Sequence, residues 1–240
     1  MTAVFLIARR ELAAYLKTWS GYIIIAGGIL AIGFLFNVDA LPGPGKKSGE
    51  ILAGLFWDIS GVTMLCALLL AMRLLAEERQ TGTIELLYSS PVTDAQIVVG
   101  KFLSALAFLC VFLLVTSFLP ALIFAYGKVS LGHIAAGYFG LLLVGSASLA
   151  IGTFTSSLTR YQVVAALIGV VLVLVLTLCH FLSRVTERPL SDVFLEMAWY
   201  PHFDPFRNGL VHLKHVVYFG AVTYVALFAT TRVVEARRWK

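Results

Sequence analysis

Six predominantly apolar stretches run along the chain, at about 20–38, 53–75, 100–126, 132–157, 162–183 and 214–233. A helix needs about 20 apolar residues to cross a bilayer core. Backbone polar groups in lipid must be satisfied within the segment, so each stretch predicts a membrane-spanning helix. The third and fourth are joined by Tyr126-Gly127-Lys128, and the fourth and fifth by Thr159-Arg160-Tyr161. Both links are tight and predict antiparallel hairpins. Ahead of the first stretch, residues 3–19 show a helical period. Phe5, Ala8, Leu12, Tyr15, Leu16 and Trp19 fall on one face, with Arg10 and Lys17 on the other. That pattern predicts an amphipathic helix lying in the membrane interface, with its polar face available to a cytoplasmic partner. The fold class is all-α integral membrane, a single domain over 1–240 with an N-terminal interface helix (1–19) and six transmembrane helices.

Composition agrees and adds an orientation. The 240 residues are 60% hydrophobic and 13% charged, about half the charged share of soluble globular chains. With both termini inside, the inner flanks carry eleven Lys and Arg and the outer flanks seven, four of them in one long outer loop. Short-loop bias therefore places the termini in the cytoplasm. The net charge of +5 is explained by this bias more simply than by nucleic acid. The first apolar stretch begins too far from Met1 for a short leader and is expected to be a retained span. Cys66, Cys110 and Cys179 all fall in apolar stretches without a CxxC pair and read as small buried residues. Ser148, Gly152 and Ser156, four apart on the fourth span, predict close helix packing, with a substrate-lining role as the alternative.

The polar stretch between the second and third spans (76–99) is longer than a connector requires. Arg73, Glu77, Glu78 and Arg79 predict that the second helix continues past the membrane. Gly82 suits a left-handed stop. A short helix then fits residues 83–88, with Ile84, Leu87 and Tyr88 on one apolar face and Glu85 elsewhere. Pro91 breaks it. Thr93 and Gln96 predict a capping box for the third span, with Lys101 near the interface. A structured element of this kind suits docking of a partner; a solvated loop whose charges mark the inside is the alternative.

The stretch RLLAEERQTGTIELLYSSPVTDAQIVVGKF resembles the cytoplasmic loop of type-2 ABC exporter permeases. The matching positions are Glu77, Glu78, Arg79, Gly82, Thr83, Ile84, Glu85, Leu87, Pro91, Val92, Thr93, Ile97, Gly100 and Lys101. Arg10, Glu11 and Leu12 resemble the family's N-terminal interface helix. HFDPFRNGLVHLKHVVYF (202–219) is similar to the gliding-motility-associated subgroup. The resemblance implies a prokaryotic plasma-membrane permease, paired with a second permease subunit as a homo- or heterodimer. It implies that the segment after Gly82, including Tyr88, is a coupling helix seated on a separate cytoplasmic ABC ATPase. ATP and Mg would be held by that ATPase, and this chain would bind no cofactor. Carboxylates at Glu77, Glu78 and Glu85 would meet basic groups of the partner. The chain would move a substrate outward, with or without a periplasmic accessory subunit. The alternative is a non-transporting scaffold that passes ATPase-driven motion to envelope or gliding-machinery partners.

By the same resemblance, residues 184–213 form a re-entrant pair of short outer helices acting as a gate. His202, Phe203, Phe206 and Gly209 belong to it. An aromatic belt capping the last two spans explains Trp199, Tyr200, Phe203 and Phe206 equally well. Asp58, the one acid deep in an apolar stretch, suits either an outer vestibule or a solvated interface position. Catalytic and metal chemistry find little support. The Gly-Lys-Lys-Ser of LPGPGKKSGE (41–50) superficially resembles a phosphate loop, but Ala40 stands where its first glycine is required. His202, Asp204, His212 and His215 lack a recognised ligand spacing. His180 beside Cys179 reads as packing, and no nucleophile and base share a depth on the spans.

Overall fold

Helix α3, Ser48–Thr81, is the axis of the molecule. Its 34 residues span about 51 Å, at 1.5 Å per residue. A hydrocarbon core is about 30 Å thick, so roughly 20 Å of α3 extends beyond it. The computed structural model of the chain describes residues 3–40, 47–82 and 92–238. Among these, all regular structure is helical, and six helices are long and apolar enough to cross a membrane.

The order is α1 (Ala3–Lys17), α2 (Trp19–Leu35) running on through a π-helical turn (Phe36–Ala40), α3, α4 (Asp94–Thr116), α5 (Phe118–Tyr126), α6 (Leu131–Leu158), α7 (Gln162–Val185), α8 (Leu190–Met197), α9 (Tyr200–Arg207) and α10 (Leu213–Arg238). The apolar window of α3 is 72% buried and that of α6 is 56% buried, against 17% for α2, α7 and α10. Two central helices therefore carry most of the core, the α4–α5 span adds to it at 33% burial, and α2, α7 and α10 leave most of their apolar surface to the surroundings.

Small residues let α3 and α6 approach. A Cβ at Gly152 would stand 2.5 Å from the Ala71 Cβ. One turn further, Ser156 Oγ donates to the Met72 carbonyl (2.9 Å) and accepts from the Leu75 and Ala76 amides (3.1 and 3.0 Å). The expected packing role of the Ser148, Gly152, Ser156 row is met at these positions, with hydrogen bonds as well as contact.

Local signals place the helix ends. Gly82 closes α3 at φ 72°, in the left-handed region where a side chain is disfavoured. At the start of α4, the Gln96 amide donates to Thr93 Oγ1 (3.4 Å) and the Thr93 amide donates to Gln96 Oε1 (3.2 Å), which completes the capping box. The third span is not one helix, as its apolar run suggests. It breaks at Ser117. Pro120 has no N–H for the Thr116 carbonyl, and the Thr116 and Ser117 hydroxyls turn back onto the Leu113 and Leu114 carbonyls (2.8 and 2.6 Å).

Helix α1 packs along α4 through Val4, Ile7, Ala8, Glu11, Leu12 and Tyr15, while Phe5, Leu6, Leu16 and Trp19 stay exposed. The buried stripe is thus rotated from the apolar face read in the sequence, and it carries a carboxylate. At the opposite end of the bundle, α9 is driven into the core. Phe203 and Phe206 are fully buried, and a Cβ at Gly140 of α6 would stand 2.5 Å from the Phe206 Cβ.

Candidate functional site

The end of α3 near Gly82 carries a network of buried and half-buried charges. Lys101 enters it from the first turns of α4, with Glu11 opposite on α1. The Lys101 side chain is 2% exposed, and its Nζ lies 2.7 Å from Glu78 Oε1 and 3.5 Å from Glu11 Oε1. A buried ammonium is costly without compensating charge, and here two carboxylates on two helices surround it. Glu11 is also 3.0 Å from Arg10 Nη2. The sequence reading put Lys101 near the membrane interface; the structure buries it, because α1 folds over it and supplies the second acid.

One turn below, Arg73 grips Glu77 with both arms of its fork, Nε to Oε2 at 2.8 Å and Nη2 to Oε1 at 3.0 Å. Its remaining nitrogen donates to Ser20 Oγ at the start of α2. Bidentate pairing of this kind fixes geometry as well as charge. Tyr15 donates to the Leu70 carbonyl (3.3 Å). Its burial, reinforced by Glu11, pushes the phenol well above its ordinary pKa, so it stays a neutral donor. Glu11, Tyr15, Arg73, Glu77, Glu78 and Lys101 line a cavity of about 270 Å³.

Two arginines then close the end of α6. Arg79 Nη1 donates to the Ser157 carbonyl, and Arg237 Nη2 of α10 donates to the Leu158 carbonyl at 2.7 Å. Cations at the orphan carbonyls of a helix C-terminus are favourable by hydrogen bonding and by the helix dipole. The result is one charged junction that holds α1, α2, α3, α4, α6 and α10 together. What it can do is transmit displacement, since moving the end of α3 must move its partners or break buried ion pairs.

Of the residues read as a coupling set, Glu77 is paired with Arg73 and Glu78 with Lys101 within the chain. Arg10, Glu11 and Leu12 do lie on α1, with Glu11 and Leu12 turned inward and Arg10 exposed. Thr83, Ile84, Glu85, Leu87, Tyr88 and Pro91 lie outside the described residues. The sequence reading placed Arg73 on the helix extension and Tyr15 on the apolar face of α1 but gave neither its bonds here, and Ser20 escaped it. Glu11 offered a signal: it stands three after Ala8 and four before Tyr15, on the face that packs, and a carboxylate there calls for a cation opposite.

At the other end, Trp57 of α3 stacks on Trp199 (5.4 Å, 10°), and Trp199 Nε1 donates to Thr177 Oγ1 of α7 (2.9 Å). The His202 ring lies flat on Tyr218 of α10 (3.8 Å, 11°). His202 Nε2 donates to the Glu196 carbonyl (3.1 Å), which leaves Nδ1 to accept from His215 Nδ1 at 2.9 Å. Burial holds His202 below the ordinary imidazole value. Lys214, bonded to Glu196 at 2.6 Å, holds that carboxyl below its usual range. Gly209 ends α9 at φ 82° against the His133 ring, and His133 Nε2 donates to the Arg207 carbonyl (2.7 Å). His202, Phe203, Phe206 and Gly209 are thus brought together as one plug. Among the described residues, no group of three metal-ligating side chains converges.

Asp58 is buried, 7% exposed. It lies about 15 Å along α3 from the helix start at Ser48. No curated protein matches the chain. A family model described as ABC-2 family transporter protein matches residues 13–210.

Proposed function

Since the chain belongs to the ABC-2 family of transporter proteins, and is a multi-pass membrane permease, we propose that it is the transmembrane subunit of an ATP-driven exporter. It pairs with a second permease subunit and rests on a separate cytoplasmic ATPase that binds ATP and Mg. The charged junction faces the cytoplasm, with both termini, in a prokaryotic plasma membrane. The α8–α9 plug faces outward as a gate.

One observation carries this reading. The two helix ends flanking residues 83–91 are fixed to the same buried lysine, α3 through Glu78 and α4 through Lys101 itself. A force applied between them reaches both spans without a slack joint. The coupling role belongs to that segment, with Ile84, Leu87 and Tyr88 as apolar anchors and Glu85 for a basic rim of the ATPase.

Affinity purification of the chain in mild detergent tests the proposal. An ABC ATPase co-purifies, and reconstituted vesicles hydrolyse ATP. Leu87→Asp or Glu85→Arg abolishes recovery of the ATPase while membrane insertion is unchanged. Equal recovery with both variants rejects the coupling assignment. Recovery of the ATPase with an envelope protein, but with no ATP-dependent transport by the intact complex, assigns the mechanical scaffold suggested by the likeness of 202–219 to the gliding subgroup.

A further inference from the structure

A cavity of about 260 Å³ opens beside the last turns of α7, at the end of the bundle that holds α8 and α9. Trp57, Thr177, His180, Phe181, Arg184 and Tyr200 line it. Arg184 is exposed, and among the described residues no carboxylate lies within ion-pair distance of it. Its Nη2 is 3.1 Å from His180 Nε2. A guanidinium only donates, so His180 accepts at Nε2 and is neutral. The cavity therefore holds one guanidinium, oriented by a neutral imidazole and balanced by no acid. Thr177 adds no free donor, since its hydroxyl donates to the Val173 carbonyl and accepts from Trp199.

The walls are aromatic. Tyr200 stands edge-on to Trp57 at 5.1 Å and lies 4.6 Å from the His180 ring. The other nearby cation, Arg207, sits over Trp57 and Tyr200 but is neutralised by Asp204 at 2.7 Å. From Phe181 at the cavity wall, Leu178 and Leu174 continue along α7 at helical spacing, and all three are exposed. They form an apolar track leading from the guanidinium along the spanning helix. Aromatic rings and a cation at the end of a span lie at the depth of lipid headgroups.

We propose that this cavity is a binding site for the phosphate headgroup of an anionic membrane lipid, with Arg184 as the charge partner, His180 as the group that orients it, and an acyl chain along Leu174, Leu178 and Phe181. Charge complementarity selects the headgroup, and the apolar track selects a lipid over a free ion. The proposal rests on the chain spanning a membrane and not on ATP coupling, so either can fail alone.

The full-length chain, purified in a neutral detergent, is titrated with dioctanoyl phosphatidylglycerol, dioctanoyl phosphatidylcholine and inorganic phosphate, with binding read by native mass spectrometry. Phosphatidylglycerol binds at least about tenfold tighter than phosphatidylcholine, and Arg184→Ala weakens it by about tenfold, the scale of one charge-assisted hydrogen bond. Arg184→Lys keeps part of the affinity. Arg9→Ala, which removes an exposed arginine from α1 at the other end of the bundle, leaves it unchanged. Equal binding of phosphatidylcholine, equal binding by Arg184→Ala, or an equal loss in Arg9→Ala overturns the proposal. Displacement of the lipid by inorganic phosphate also overturns it, in favour of a free-anion site.

Discussion

Lys101 and Glu78 form an ion pair at 2.7 Å, with the lysine almost wholly removed from solvent. The pair joins the start of one span to the end of another across the segment that separates them. A second acid, Glu11, ties α1 into the same contact. Under the proposed coupling, force transfer and folding share this bond, and substitutions here act on both.

Lys101→Met removes the cation held against Glu78 and Glu11 and leaves two acids facing a low-dielectric site. Breaking a buried pair on one side costs about 3 kcal/mol or more. The expected outcome is a clear fall in thermal midpoint in detergent, read with a thiol-independent fluorescence probe. The double variant Lys101→Met with Glu78→Gln recovers much of that loss, because no buried carboxylate is then stranded at position 78.

Gly152→Ala overpacks the contact with Ala71 and costs about 1–3 kcal/mol. Gly27→Ala, on α2, meets nothing within 4 Å and is neutral or slightly stabilising, because alanine is the better helix former. Paired melting curves check the contrast. Equal effects at the two glycines would contradict the α3–α6 packing.

Gly82→Ala forces a side chain into the left-handed region, at a cost of about 1 kcal/mol. Its larger effect falls on the exit direction of the chain toward residues 83–91. ATPase recovery drops more than stability does. Gly82→Asn, which tolerates that conformation better, recovers part of it.

Acid loosens the α8–α9 plug. His202 is held below its ordinary pKa by burial. The unfolded chain therefore takes up a proton, as pH falls through about 6.5, that the folded chain resists. Folded stability is full above that window and declines below it. His215, Lys214, Tyr218 and Glu196 surround the ring, with His212 against His215; of these, Glu196 alone opposes the trend, through its backbone carbonyl first and then its carboxylate, both of which favour the imidazolium. Protonated His202 would also aim an N–H at the His215 Nδ1–H. Melting midpoints between pH 8 and pH 5 check this by their slope, and His202→Gln flattens it.

Much of the architecture was legible in the sequence, because apolar run length and helix-stop chemistry are local properties. The six spans, the glycine stop at Gly82 and the Thr93 capping box depend on residues close together in the chain. Burial of Lys101 was not legible in the same way. It depends on α1 crossing α4, and on which stripe of α1 turns inward, and that stripe is set by the match of Val4 and Ile7 to Gly100. The break at Ser117 was carried by Pro120, but an unbroken apolar run masked it. The helix that carries Asp58 starts five residues before its apolar stretch, because Ser48–Glu50 are polar and leave no mark on the apolar run. The family likeness identified the polar segment after Gly82 and could not say that Glu77 and Glu78 would be occupied at home.

The break at Ser117 divides the third span into two rigid pieces of unequal length. From Asp94 to Thr116, α4 is a rod of about 34 Å, clamped at its foot by Lys101. Above the break, α5 is a nine-residue segment whose first turn lacks the proline's amide bond. Under the proposed coupling, a tilt imposed at the foot would swing the rod as a lever, and the break would act as a joint that spares α5 from following. The throw of that lever would then be set by the length of α4, and straightening the helix across position 120 would change it.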